Sequence, residues 1–329
     1  PFHIDRWGRD LFYTLFGLKN PQPMRYQIDM LTRRNYRYPQ IPSVQFFGSD
    51  REYFFDDETT ALLVFARMNL ALQGDNLTPS EKIEWQERVN WLFRSDHFEN
   101  GAYVTPKGKE RSWLDTFVFP KPDVVTYTHG IVTAAIILAD KLGLEVPKED
   151  LRQVQEVYRR LIHPSGRLQL SRNIPYKDTS SLVGEHLVNR ALNENILPSQ
   201  IVTETVETLD RGGRGFANVS KENGLPLNPL EFDPLSLDGD YHNFSNWWLF
   251  SAIAQSTYEY HGHQPDNNFW SDLLSGLLET RDVEYERIGW KEKYNPSRRD
   301  HAWNAYAYVL ANKALCGQYN PKLLDYVST

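Results

Sequence analysis

The stretch TYTHGIVTAAIILADKLGLEVPKEDLRQVQEVYRRLI, residues 126–162, holds two apolar-periodic segments and the break between them. The first, Thr126–Leu142, ends at Gly143, where a helix C-cap belongs. The second, Lys148–Ile162, opens after Pro147 with a polar first turn. The pattern predicts two helices joined by a short turn, and it recurs outward in both directions. Helices are expected near Arg9 and Gln22, then over Glu58–Leu72 and Pro79–Phe93. Downstream they are expected over Thr179–Asn193, Pro198–Leu209, Ser245–Tyr260, Asp266–Thr280, Asp300–Leu315 and Pro321–Val327. Strand patterns are rare and short. About twelve helices in six consecutive pairs, without a sequence repeat, predict an all-α fold.

Six helical hairpins can close into an (α/α)6 toroid around a central funnel, or stack as an open solenoid. A solenoid calls for a regular period and short turns. Here the connections are unequal, and two are long, Phe93–Val125 and Gly212–Phe244. Long loops in a helical domain are usually functional. The expectation is a closed toroid, residues 1–329 forming a single catalytic domain, with the active-site loops at one end.

Composition narrows the partners. With 36 Lys and Arg against 43 Asp and Glu, the net charge is −7, and there is no basic tract. That balance argues against nucleic acid and against an anionic membrane surface. No apolar run is long enough to span a bilayer. One cysteine, Cys316, excludes an intrachain disulfide framework and a thiolate metal cluster. It fits a reducing, cytoplasmic location, with a disulfide-free secreted protein as the alternative. The chain begins at Pro1, so a removed leader or an upstream domain would leave no trace in it. Aromatic residues reach 13%, with 9 Trp, 18 Tyr and 17 Phe. Surplus Trp and Tyr often line sugar sites, although core packing uses many of them.

Four segments carry candidate chemistry. In the first long loop, Asp115 follows Trp113 and Leu114 and precedes Thr116-Phe117. A carboxyl among aromatics is desolvated, its pKa rises, and it can act as a general acid; the plainer reading is an Asp that caps a turn. Near the C-terminal end, Glu292 stands beside Trp290 and ahead of the Asn295-Pro296 break. Alone it reads as a solvated Glu between Lys291 and Lys293. Paired with Asp115 it supplies the second carboxyl that glycoside hydrolysis needs. The opening segment offers Trp7, Arg9 and Asp10 at a helix start. An Arg–Asp couple can bind adjacent hydroxyls, or be a surface ion pair of little weight. The second long loop ends with Tyr241, His242 and Asn243 ahead of Trp247 and Trp248. Tyr and Trp can stack on a pyranose while His and Asn bond its hydroxyls, and at least one of the two tryptophans is expected in the core.

Together these segments resemble the glucosidase domain of glycogen debranching enzymes and related inverting (α/α)6 α-glucosidases. Trp7-Gly8-Arg9-Asp10 resembles the family's W-G-R-D element, and Ser112-Trp113-Leu114-Asp115 its Trp-Met-Asp segment, whose Asp is the general acid. Asp238-Gly239-Asp240-Tyr241-His242-Asn243 resembles D-G-x-Y-H-N/Q, and Gly289–Pro296 with Ala302-Trp303 resembles the general-base segment E-x-Y-N-P…W-S. The four occur in family order from residue 7 to residue 303. Phe244–Trp248, Leu11 and Asn304 depart from the family pattern, which leaves the substrate open.

The resemblance implies an exo-acting, inverting α-glucosidase that cleaves at a non-reducing end, either a debranching-type amylo-α-1,6-glucosidase or a hydrolase of small α-glucosides. Asp115 is the expected acid and Glu292 the expected base. Trp7, Arg9, Asp10, Trp113, Tyr241, His242 and Trp290 are the expected sugar-binding residues. The substrate would be an oligosaccharide or small glycoside, and no metal or cofactor is expected. A phosphorylase would need a basic phosphate pocket where Glu292 stands. A polysaccharide lyase, using Tyr241-His242-Asn243, and a non-catalytic carbohydrate-binding protein are the other readings.

Overall fold

The structure is a computed structural model. It describes residues 6–17, 20–32, 37–45, 52–54, 58–94, 96–107, 113–114, 117–212, 214–228, 246–279, 287–288, 294–295 and 303–316. Among these residues eleven α-helices form: α1 (Gly8–Phe16), α2 (Gln22–Thr32), α3 (Glu58–Leu72), α4 (Pro79–Leu92), α5 (Thr126–Lys141), α6 (Lys148–Arg160), α7 (Val183–Leu192), α8 (Ser199–Thr208), α9 (Trp248–Tyr260), α10 (Asn267–Glu279) and α11 (Trp303–Cys316). The expected twelfth helix, Pro321–Val327, lies outside the described residues. Two helices begin later than the periodicity suggests. Residues 179–182 form a 3-10 turn before α7, and α9 opens on Trp248 after the strand Asn246–Trp247.

Helix ends follow local chemistry. In α4, Thr78 accepts from the Glu81 amide while Glu81 bonds back to Thr78, with Pro79 in the first helical position. At the end of α5, Gly143 takes φ +75°. Its amide donates to Asp140, and the Leu144 amide donates to Ala139, both at 3.0 Å, which satisfies the last carbonyls.

The odd-numbered helices form a closed ring: α1 touches α3, α3 touches α5, α5 touches α7, α7 touches α9, α9 touches α11, and α11 returns to α1. That closure separates a toroid from an open solenoid. The even-numbered helices lie outside: α2 touches α1 and α3, α4 touches α3 and α5, α6 touches α5, α8 touches α9, and α10 touches α9 and α11. Burial follows the same division. Every residue of α5 from Thr126 to Ala139 is buried, whereas α6 buries only Val154 and Tyr158. A helix apolar all round needs neighbours on every side; one with a narrow apolar stripe needs a single floor to lie on. The ring is tight where α5 meets α7. A Cβ on Gly184 would stand 2.4 Å from the Gly130 carbonyl, so the two backbones touch there.

Connections from an inner helix to the next outer one are short: 17–21, 73–78, 142–147, 193–198 and 261–266. Connections from outer to inner are long: 33–57, 93–125, 161–182, 209–247 and 280–302. Packed helices joined by such short links run antiparallel, so all five long connections gather at the N-terminal ends of the inner helices. The sequence singled out two of them; the structure has five. They pair with one another through two-residue strands and isolated bridges. Lys177–Asp178 pairs with Val219–Ser220, and Val125 bridges Ser171. Asp123, nearly buried, ties 93–125 to 161–182 by accepting from Ser171 and Asn173 at 2.6 and 2.7 Å.

Candidate active site

The long-connection end carries a buried polar cluster at the centre of the ring. It starts at α1. The strand Arg6–Trp7 pairs with Val44–Gln45, and Gly8 then opens the helix. Gly8 is required by space, since a Cβ there would meet Thr59 Cγ2 of α3 at 2.4 Å. The close approach brings Arg9 against Glu58, the first residue of α3. Arg9 Nη1 donates to Glu58 Oε1 at 2.9 Å, and the side chains are 7% and 0% exposed. The other oxygen, Oε2, accepts from the Trp113 amide at 3.2 Å and from Thr128 Oγ1 of α5 at 3.4 Å. Glu58 also sits at a helix N-terminus, where the macrodipole favours an anion.

Trp113 is gripped a second time at its indole. Nε1 donates to Ser180 Oγ at 2.7 Å, and Ser180 in turn donates to the Asp178 carboxyl at 2.7 and 2.8 Å. Asp178 caps the 3-10 turn by accepting from the Ser180 amide at 2.9 Å. Burial pushes the Asp178 carboxyl up to about 7, against the lowering effect of its bonds from Ser180. The Trp113 ring packs on Phe250 (centroids 4.1 Å), Trp247 (5.5 Å) and Tyr127 (6.0 Å). Beneath it the Tyr13 and Tyr127 hydroxyls bond each other at 2.9 Å. Burial pushes both phenols well above their ordinary range, and the Glu58 charge adds to this, so both stay neutral.

The expected site residues fall into three groups. Arg9 and Trp113 are in this cluster. Arg9 is therefore no surface ion pair; its guanidinium is buried on Glu58. Trp7 and Asp10 have their backbones in the first strand and in α1, while their side chains lie outside the described residues. Asp115, Tyr241, His242, Trp290 and Glu292 lie outside the described residues altogether.

The described residues around them converge on one region. The strand Asn246–Trp247, directly after the Tyr241-His242 segment, pairs with Arg287–Ile288, which pairs with Tyr294–Asn295. Glu292 falls in the link of that last hairpin. Trp247 in turn meets the ring of Trp113, two residues before Asp115. On the far side of Asp115, the Phe117 amide donates to the Leu114 carbonyl at 2.9 Å. Of the two tryptophans opening α9, Trp248 is core, fully buried against Gly276, as one of them was expected to be.

Sequence reading missed Glu58, Thr128, Asp178, Ser180 and the Tyr13–Tyr127 pair. A faint signal exists for two of them: Glu58 opens an otherwise apolar helix, and Asp178 precedes Thr-Ser-Ser in an N-cap pattern. Among the described residues no cluster of His, Cys, Asp and Glu is arranged to hold a metal ion. No described helix is long and apolar enough to cross a membrane.

No protein-family profile and no curated protein matches the chain. Solved structures do. A GH63 mannosylglycerate hydrolase from Thermus thermophilus, in complex with glucose, is 12% identical, with a TM-score of 0.62 over 94% of this chain and 93% of that one. An uncharacterized conserved protein from the same organism is also 12% identical, with a TM-score of 0.59 over 94% and 93%. A glycosidase variant in complex with glucose is 14% identical, with a TM-score of 0.58 over 95% and 88%. At these identities the likeness speaks for the fold alone: this chain shares the helical fold of these glycosidase structures.

Proposed function

We propose that the chain is a glycoside hydrolase, a single catalytic domain of six helical hairpins that releases a terminal sugar from the non-reducing end of an α-glucoside with inversion. One observation supports this most: within a fold shared with glycosidases, the segments flanking Asp115, Tyr241-His242 and Glu292 meet through Trp113, Trp247 and the three-stranded sheet of Trp247. In this reading Asp115 protonates the departing glycosidic oxygen. Glu292 takes a proton from a water on the opposite face of the sugar, and that water's oxygen forms the new bond to the anomeric carbon as the old one breaks. Arg9, oriented by Glu58, and Asp10 hold hydroxyls of the terminal sugar. Trp7, Trp113, Tyr241, His242 and Trp290 complete the pocket.

The test is turnover of a panel of α-glucosides, maltose and isomaltose included, with the released anomer followed by proton NMR. β-Glucose appearing first supports inversion, and α-glucose appearing first overturns it. Turnover that requires phosphate would make the chain a phosphorylase. No turnover of any glycoside would remove the hydrolase assignment.

A further inference from the structure

We propose that Glu58 and Asp178 are positioning residues for the general acid, acting through Trp113; this rests on Asp115 being that acid. A general acid works only within hydrogen-bond reach of its target, about 2.6–3.2 Å, and misplacement by a fraction of an ångström is costly. Asp115 lies in a two-residue interval between fixed points. On the C-terminal side the Phe117 amide is bonded to Leu114, and the Phe117 ring packs on Phe119 at 4.8 Å. On the N-terminal side stands Trp113, 1% exposed and held at both its main chain and its side chain.

The two grips have separate origins. Glu58 takes the Trp113 amide on Oε2 and is itself locked by Arg9 from α1 and Thr128 from α5, so three inner helices fix one peptide group. Asp178 takes the single hydroxyl proton of Ser180, which leaves a Ser180 lone pair for the indole N–H. The Asp178 grip sets how the indole is turned; the Glu58 grip sets where the chain enters Asp115. Packing alone does not call for either carboxyl. Phe250, Trp247 and Tyr127 already enclose the ring, and a buried ion pair is a weak source of stability compared with apolar residues of the same volume. Two buried carboxyls converging on one tryptophan are an orienting device.

The readout is leaving-group dependence, which a purely structural role does not change. Isomaltose requires protonation of the departing oxygen, whereas α-D-glucosyl fluoride departs nearly without it. For Glu58→Gln, which also loosens Arg9 and so raises KM on both substrates alike, we expect kcat on isomaltose to fall at least ~10-fold further than kcat on the fluoride, with the basic limb of the pH profile displaced. Ser180→Ala, which removes the indole's acceptor, should show the same selectivity in milder form and covers the case in which Glu58→Gln does not fold. Asp178→Asn keeps an acceptor for Ser180 and should retain wild-type selectivity, while Asp178→Ala should follow Ser180→Ala. Equal losses on both substrates, or no loss, in folded variants of an active enzyme overturn the positioning role and leave the hydrolase assignment intact. A wild-type protein that cleaves neither substrate overturns both.

Discussion

Glu58 and Glu185 are both fully buried carboxylates on the inner ring, and they serve opposite ends of it. Glu185, on α7, reaches the short connections. Its Oε2 accepts from the Ile196 and Leu197 amides at 2.9 Å, and its Oε1 meets Asn189 Nδ2 at 2.9 Å and His261 Nε2 at 2.8 Å. Those partners belong to α7 and to the turns that end α7 and α9, so the group closes two helical corners. Glu58 sits at the long-connection end, and among the described residues the main-chain partner it holds is Trp113, two residues before Asp115. The same chemistry, a buried carboxylate satisfied on both oxygens, is spent on architecture at one end and on aiming a loop at the other. The lesson is that burial and satisfaction do not by themselves mark function; the identity of what is being held does.

The difference can be broken or sharpened by substitution. The largest expected effect is at the long end: Glu292→Gln should lower turnover by about 10²–10⁴-fold, the usual contribution of a general base, with an unchanged melting temperature. Retained turnover, with the melting temperature equally unmoved, would return Glu292 to its reading as a solvated glutamate. At the short end the balance should reverse. Glu185→Ala leaves two buried amides without an acceptor, at about 1–3 kcal/mol each, so urea unfolding should register a loss of about 3 kcal/mol or more. The kcat per folded molecule should hold steady; a specific loss of turnover would erase the distinction between the ends. Between them, Gly184→Ala forces a methyl into the Gly130 backbone. Overpacking of that kind costs about 1–3 kcal/mol, measurable in the same unfolding experiment, and wild-type stability would mean that α5 and α7 separate more easily than their contact suggests.

The smallest effect is in the pH dependence, where two buried groups pull in opposite directions. His129 of α5 accepts from the Tyr103 amide on Nδ1 and faces the Val154 carbonyl with Nε2, so it is held neutral, and burial pushes it down to about 4. Its folded pKa is depressed, so its contribution is present above about 6.5 and is lost as pH falls toward 4. Asp178 is the reverse case. Its folded pKa is raised, so its contribution is present below 3.8 and is lost as pH rises through about 7. His129→Gln should flatten the acid side of the stability profile, and Asp178→Asn the side between pH 4 and 7, each read by urea unfolding at a series of pH values. Profiles that keep the wild-type slope would remove the group concerned from the account.

The helical pairs were legible in the sequence because each is a local event: a periodic face, a cap, a stop. Thr78–Glu81 and Gly143 behave in the structure as those rules require. The closure of the ring was legible only indirectly, through the unequal connections, because the contact of α1 with α11 joins residues from opposite ends of the chain. Trp113 stood out in the sequence through a short motif, and the structure buries it in the polar cluster, while Asp115, two residues on, lies outside the described residues; a single acid that draws its meaning from distant partners did not stand out. Glu58 opens an apolar helix and looks like an ordinary first-turn charge. Its significance lies in Arg9, 49 residues upstream, and Trp113, 55 residues downstream. Asp178 likewise reads as a plain N-cap until the indole of Trp113, 67 residues before Ser180, arrives on that serine.

The closing contact of the ring also sets a condition on how the chain is made. α1 has two inner-ring neighbours: α3, which follows shortly, and α11, which is synthesised after every other described helix. Until α11 arrives, the flank of α1 that carries Phe16 and Gly17 lacks its cover, Tyr306, whose ring meets Phe16 at 5.4 Å and leaves no room for a side chain at Gly17. An emerging chain can therefore build an arc helix by helix but cannot finish the circle until α11 has emerged. Contacts this remote in sequence are the slow ones to form, and an open arc exposes apolar surface while it waits. Joining the segment that carries α11 ahead of α1, in a circularly permuted gene, would turn that last contact into an early one and move the gap elsewhere in the ring.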